Sequence, residues 1–202
     1  MRLLPLLPVL VLAACVQAPE RVRVAPATAV IGQEPAAPAG NPLVGGVTMP
    51  ADRTIAANVA TAPTLSTLVR AAQTAGLIDT LSGPGPLTLF APTDEAFGRL
   101  APGTVDALLK PENRASLTRL LQLHLVAGRL TSAELVRRVT AGGGGATLTT
   151  LAGDPLTVGL TGSVVTLTDS GGNRSYVETA DVRQANGVVH VVNGVLVPRL
   201  AQ

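Results

Sequence analysis

The pattern of apolar and polar positions divides the chain into four stretches. Behind Met1-Arg2, an apolar run from Leu3 to Leu12 is interrupted by Pro5 and Pro8. It has the length of a signal-peptide core and falls short of the roughly 18 apolar residues that a spanning helix needs. From Val16 to Ala51 neither a helical nor an alternating period holds. Pro19, Pro26, Pro35, Pro38, Pro42 and Pro50 stand there among many Ala and Gly, the composition of a tether. The Val30-Ile31 pair leaves open a short strand between Ala25 and Ile31.

Helical spacing begins at Thr64, placed to cap a helix in which Leu65, Leu68, Val69 and Ala72 recur and Gly76 stops the run. Leu77, Ile78 and Leu81 make a second turn, Gly83-Pro84-Gly85-Pro86 breaks the chain, and Leu87 to Ala91 alternates as a strand does. Thr93 then caps a turn whose first positions, Asp94 and Glu95, put negative charge at a helix N-terminus. Thr104 is placed to cap Val105 to Leu109, and a longer helix from Pro111 sets Leu117, Leu120, Leu121 and His124 on one stripe. Thr131-Ser132-Ala133-Glu134 has the form of a capping box. After Gly142 to Gly145 the period changes to two. The spacing predicts strands over Thr147 to Leu151, Leu156 to Leu160, Val164 to Thr168, Ser175 to Thr179 and Val188 to Val192. Helices first and strands afterwards predict one α+β domain with a largely antiparallel sheet and no internal repeat.

Composition sharpens this picture. The 202 residues hold no Trp, one Tyr and two Phe while 47% are hydrophobic, so the core is built from Leu, Val and Ala. The formal charge of +2 falls to about +1 once a leader containing Arg2 is removed. No stripe of Lys and Arg interleaved with aromatics appears, so nucleic acid is not an expected partner.

Cys15, the single cysteine, excludes an intramolecular disulfide and closes the run Leu12-Ala13-Ala14-Cys15. That run resembles the lipobox of bacterial lipoproteins, where the thiol accepts a diacylglycerol. The resemblance implies a leader over 1–14, a lipidated Cys15 and a Pro/Ala-rich linker over 15–52, with the membrane as partner through the lipid. The alternative is an ordinary signal peptide cut near Ala14. Val16 instead of Asp after the Cys implies the outer membrane, its periplasmic face or the cell surface by the enterobacterial sorting rule.

Three segments carry a second resemblance. Thr88-Leu89-Phe90-Ala91-Pro92-Thr93-Asp94-Glu95-Ala96-Phe97 resembles the first signature of the fasciclin (FAS1) domain, and Asn186-Gly187-Val188-Val189-His190-Val191-Val192-Asn193-Gly194-Val195-Leu196-Val197-Pro198 resembles its second. Leu123-His124-Leu125-Val126-Ala127-Gly128 is similar to the Tyr-His segment between them. The resemblance covers residues 53–200 and implies a wedge-shaped β-sandwich decorated by helices. It makes Thr93, Asp94, Phe97, His124, Asn186, Gly187, His190 and Pro198 family-motif positions, mainly structural. The alternation puts Val188, His190 and Val192 on one face, opposite Val189 and Val191. Where the family carries Tyr, this chain has Leu123, where it carries Pro, Ala127, and where an acid often follows the second signature's His, Asn193. The integrin binding linked to that segment in animal members is therefore not carried over.

The implied function is a membrane-tethered binding module that mediates adhesion to cell-surface, matrix or envelope components, with a protein or polysaccharide partner. The alternative is a carrier or sensor of an apolar small molecule. Catalysis, metals and cofactors are not expected: the domain offers two His and no Cys as ligands, no Gly-x-Ser-x-Gly elbow, and a Gly142 to Gly145 run without the Lys-Ser/Thr of a phosphate loop. Loops carry binding more often than sheets do, so the turn from Ser170 to Arg174 and the loop from Leu100 to Thr104 are the candidate surfaces.

Overall fold

The computed structural model describes residues 40–198. The leader, Cys15, the tether up to residue 39 with its possible strand, and residues 199–202 lie outside the described residues. Among the described residues no helix is long and apolar enough to cross a membrane.

The domain starts earlier than the tether composition suggests. Strands β1 (Leu43–Val44) and β2 (Val47–Thr48) form a small hairpin ahead of Met49, and Val44 and Met49 are buried in the core. Asn41 fixes this segment: its Nδ2 donates to the carbonyls of Met49 and Arg183, both at 2.6 Å, and its Oδ1 accepts from the Arg183 N–H at 2.9 Å. A linker ending at residue 52 is thus corrected, because Pro42, Pro50 and the two glycines between them serve a tight hairpin.

Helix α1 (Ile55–Val59) is opened by Thr54, whose hydroxyl accepts from the Ala57 N–H. Helix α2 (Ser66–Ala75) follows a 3-10 turn over Pro63–Leu65 and ends at Gly76 in the left-handed conformation. Thr64 lies inside that turn and caps nothing. Helix α3 (Ile78–Ser82) leads through the Pro/Gly break into β3 (Leu87–Pro92), which is buried along its whole length instead of on one face. Helix α4 (Asp94–Gly98) is capped by Thr93 through the Ala96 N–H at 3.2 Å. Helix α5 (Thr104–Leu108) takes Gly103 as its cap, and Thr104 is its first residue. Helix α6 (Arg114–Leu123) runs on from a 3-10 turn at Pro111. It leads into β4 (Leu125–Ala127), a strand of three residues, too short to show a period in the sequence. Helix α7 (Ser132–Ala141) is capped by Thr131. Glu134 gives its N–H to that hydroxyl, while its carboxylate pairs with Arg137 and Arg138.

Four consecutive strands follow, β5 (Gly145–Thr149), β6 (Pro155–Thr161), β7 (Val164–Thr168) and β8 (Arg174–Gln184), and then β9 (Gly187–Val192). The seven strands β3 to β9 form one sheet in the order β4-β3-β9-β8-β7-β6-β5, antiparallel except for the parallel pair β3–β9. A bridge between Val126 and Thr150, with the Leu151 N–H on the Leu125 carbonyl at 2.8 Å, brings the ends of that order together. The sheet thereby curls on itself, and its outer strands cover each other's open hydrogen-bonding groups.

Alternation along β3 and β9 separates two cores. Leu87, Leu89 and Ala91 with Val189 and Val191 face α1 to α6. Phe90 and Val192 face the other core, made with Leu135 and Val139 of α7 and with Leu148, Leu156, Val158, Val165 and Leu167 of the curled strands. The α+β class and the antiparallel character of most of the sheet agree with the sequence pattern. The parallel pair is what tertiary contact adds.

Because Val44, Met49 and the three Asn41 hydrogen bonds are lost together, removing residues 1–52 is expected to lower stability by about 2–4 kcal/mol relative to removing residues 1–37. Urea unfolding of the two truncations measures the difference, and equal midpoints would return residues 41–52 to the tether.

Candidate functional site

The signature residues converge on the β3–β9 pair, where Phe90 stands in register with His190. Their rings stack with centroids 5.5 Å apart and 22° between planes, in a core with no other aromatic partner nearby. His190 is fully buried. Its Nε2 donates to the Leu130 carbonyl at 2.7 Å, and its Nδ1 accepts the Asp181 N–H at 3.3 Å. His124, equally buried, has the opposite tautomer: Nδ1 donates to the Leu120 carbonyl at 2.9 Å, and Nε2 accepts the Leu196 N–H at 3.0 Å. Burial drives the His124 pKa down to about 4, partly offset by the Leu120 hydrogen bond and the charge of Asp169. Burial likewise lowers His190 against the opposing effects of Leu130 and Asp181. Both imidazoles are neutral near pH 7, and each engages both ring nitrogens with backbone groups of segments far apart in sequence.

Asp181 is the one non-glycine residue with positive φ, 60°, among the described residues, and it sits at the register shifts of β8. That bulge turns its carboxylate onto the first turn of α7, where Oδ1 accepts the Ser132 N–H at 2.7 Å and Oδ2 the Ser132 hydroxyl. His190, Asp181 and Ser132 thus lock the bulge to the start of α7.

The remaining signature positions are also structural in geometry. Asn186 Oδ1 accepts the Ile55 N–H at 2.9 Å, and its Nδ2 donates to the carbonyls of Leu81 and Gly83. Gly187 starts β9 where a Cβ would lie 1.9 Å from the Leu87 carbonyl oxygen, so only glycine permits the two strands to meet there. Phe97 is buried in the helical core, and Pro198 closes the described chain half-buried. Asp94 does more than its position in α4 suggests. Its Oδ1 accepts the Thr67 N–H at 2.7 Å and its Oδ2 the Ser66 hydroxyl at 2.8 Å, capping α2 from a different helix. Burial raises the Asp94 pKa, but these hydrogen bonds outweigh it and leave the carboxyl lowered.

The two candidate loops meet, through Leu100 of one and Asn173 and Arg174 of the other, in an open groove of about 270 Å³. Thr104 is not part of it. Arg99, Tyr176 and Asn193 join its wall. Arg99 is held by Glu95 at 2.8 Å and by the Asn193 carbonyl at 3.3 Å, and Asn193 Oδ1 accepts the Tyr176 N–H at 2.9 Å. The turn carrying Asn173 and Arg174 is organised by buried Asp169, whose Oδ1 accepts the N–H groups of Gly171 and Asn173 and whose Oδ2 accepts Asn173 Nδ2 and the Val197 N–H, all at 2.9 Å. Sequence reasoning does not single out Asp169, Arg99 or Tyr176. The first has a readable signal, since Asp-Ser-Gly-Gly-Asn is the composition of an Asx turn. The other two are brought in by tertiary contact alone.

Comparison with known proteins points one way. A family model described as the Fasciclin domain matches residues 63–198. Protein sll1483 of Synechocystis sp. is 40% identical over 135 residues, 67% of this chain and 68% of that one. Transforming growth factor-beta-induced protein ig-h3 of Sus scrofa is 41% identical over 133 residues, 66% of this chain but 17% of that one. Immunogenic protein MPB70 of Mycobacterium bovis is 36% identical over 127 residues, 60% of this chain and 54% of that one. Among solved structures, a FAS1 domain pair from the insect cell adhesion molecule fasciclin I shares the fold with a TM-score of 0.64 at 19% identity, covering 74% of this chain and 51% of that one.

The buried neutral imidazoles set a pH dependence. The unfolded chain binds protons at His124 from about pH 6.5 downward while the folded chain resists until about 4, so stability is greatest above that window and falls as pH drops through it. His124 alone is expected to remove about 2 kcal/mol between about pH 7.5 and about pH 5, and His190 acts in the same direction. Urea midpoints at the two pH values check this; a midpoint that does not move contradicts neutral burial.

Proposed function

The chain belongs to the fasciclin domain family, and on that premise we propose that it is a membrane-tethered binding module that adheres to cell-surface, matrix or envelope components. The observation that carries this reading is the division of labour in the domain. The signature side chains His124, His190, Asn186 and Asp94 are engaged with backbone groups, whereas the two exposed loops form a groove open to a partner. The solved relative, fasciclin I, is a cell adhesion molecule, and adhesion enters here as an analogy between domains of one family. A carrier of an apolar small molecule has less support. The groove between α7 and strands β7 and β8, lined by Val136, Val164 and Val177, is open and bordered by Glu178 instead of enclosing a cargo.

Tethering rests on Cys15 behind its apolar leader. One acyl chain holds a protein only marginally, and each buried methylene adds about 0.8 kcal/mol, so a diacylglycerol on that thiol would anchor it stably. About 25 residues of Pro-containing chain between Cys15 and Asn41 would let the domain reach partners beyond the bilayer surface. The acidic pair Asp94 and Glu95 and the two histidines offer no catalytic set, since each imidazole lacks a free nitrogen to serve as a base.

Cys15→Ser is expected to abolish incorporation of an alkynyl fatty acid in the producing cell and to leave the protein soluble or unprocessed. A variant that is processed and sediments with membranes like the parent would refute the anchor. Deletion of the chain is expected to lower attachment to surfaces or to other cells several-fold, and unchanged attachment and aggregation in all conditions would refute the adhesive role.

A further inference from the structure

Tyr176 is the only tyrosine of a chain without tryptophan, and it is the one aromatic ring at the surface, 37% exposed, while Phe90 and Phe97 are buried. Its place is the groove described above. Arg174 lies two positions earlier on β8, on the same face of the strand, and Arg99, at the end of α4, also lines the groove. Among the described residues no acid pairs with Arg174, whereas Arg99 is steadied by Glu95 and the Asn193 carbonyl. Asn193 uses its Oδ1 on Tyr176, which leaves its amide hydrogens available among the described residues. The floor is set by the close approach of Gly194 to buried Ser175, where a Cβ would lie 2.5 Å from the seryl oxygen.

We propose that this groove binds an acidic glycan, a chain of sugar rings carrying uronic-acid carboxylates. The proposal rests on the binding-module reading and assigns its surface and ligand class. A sugar ring presents an apolar C–H face that stacks on a phenol ring, hydroxyl edges that take hydrogen bonds from a carboxamide, and in a uronate one carboxylate that a guanidinium holds in two parallel bonds. Tyr176, Asn193 and Arg174 supply these three groups in one groove, and Arg99 adds a second cation to its lining. An acidic peptide would satisfy the cations but leave the ring without a matching face and would want a deeper apolar anchor pocket. At about 270 Å³ the groove accepts a short stretch of an extended polymer and is smaller than the roughly 300–1,000 Å³ usual for a small-molecule cavity. The Asp169 hydrogen bonds hold the Arg174 turn in place before binding, so little ordering cost opposes the contact.

Because no other tyrosine or tryptophan emits, Tyr176 reports its own site. The test is titration of the full-length protein in detergent with hexagalacturonate, followed by tyrosine emission and by calorimetry. A saturable change is expected, weakening several-fold when salt is raised from about 0.05 M to about 0.5 M. Arg174→Ala is expected to weaken it about tenfold, and Arg174→Lys by less. Tyr176→Ala, followed by calorimetry, is expected to weaken binding several-fold with thermal stability unchanged. No heat and no emission change, equal binding of neutral cellohexaose, or full binding by Arg174→Ala would overturn the proposal, and equal competition by polyglutamate would replace the glycan by an acidic peptide. If Arg174→Ala and Tyr176→Ala cells attach as the parent does while the deletion does not, the groove assignment fails and the adhesive reading stands.

Discussion

The parallel pairing of β3 with β9 is the contact on which the rest of the domain depends. The two strands lie about a hundred residues apart in sequence, they are buried on both faces, and their alternating side chains feed the helical core on one side and the curled-sheet core on the other. Strands in such a position admit almost no polar atoms, and those present have fixed partners. Thr88 illustrates the rule: its hydroxyl donates to the Gly128 carbonyl at 2.7 Å and accepts the Leu130 N–H at 2.9 Å, so the loop after β4 is tied to the centre of the sheet. His190, diagonally across the pair on the same side, donates to the Leu130 carbonyl. One residue of that loop, Leu130, is therefore held through both its N–H and its C=O by the two central strands.

The shortage of aromatic residues gives the histidines their weight. With Phe90 the only large ring in the sheet core, the His190 imidazole fills space beside it as a flat side chain and also satisfies backbone groups that Leu or Val would leave bare. The cost of burying it is limited because it is buried neutral. A second Phe at 190 would pack as well but orphan the Leu130 carbonyl and the Asp181 N–H, and an Asp in its place would bring a charge into a core that has no cation to meet it. His124 plays the same double part at the end of α6, where it terminates the helix and receives Leu196. Structural histidines in a signature motif thus have a physical reason that requires no ligand.

Much of this was legible along the chain, and the limits have physical causes. Caps whose partners lie within one turn, at Thr93 and Thr131, were readable because the bond they make is local. Thr64 and Thr104 carry the same local signal, yet neither caps a helix, because Asp94 from a distant helix and Gly103 occupy those roles. The strand at Ser175 to Thr179 is half of a longer one, since Asp181 at positive φ breaks the alternation without ending the pairing. Residues 41–49 look like tether because a tight hairpin and a flexible linker share Pro and Gly. The buried state of Val44 and Met49 depends on β8, far downstream.

The groove shows the same limit at the level of function. Its two loops were readable as exposed turns, but nothing in their local sequence says that they meet, and Tyr176 belongs to a strand whose neighbours read as ordinary alternation. What brings them together is the segment after β9. Leu196 and Val197 give their N–H groups to His124 and to Asp169, and the same Asp169 carboxylate shapes the Arg174 turn. The path from buried core to exposed rim is therefore two hydrogen-bonded side chains long. Buried signature residues such as His124 thus help to fix the position of a surface to which the same signature contributes only its less buried end, at Asn193 and Gly194. The rim, free of packing constraints, is where members of one fold can differ in what they hold.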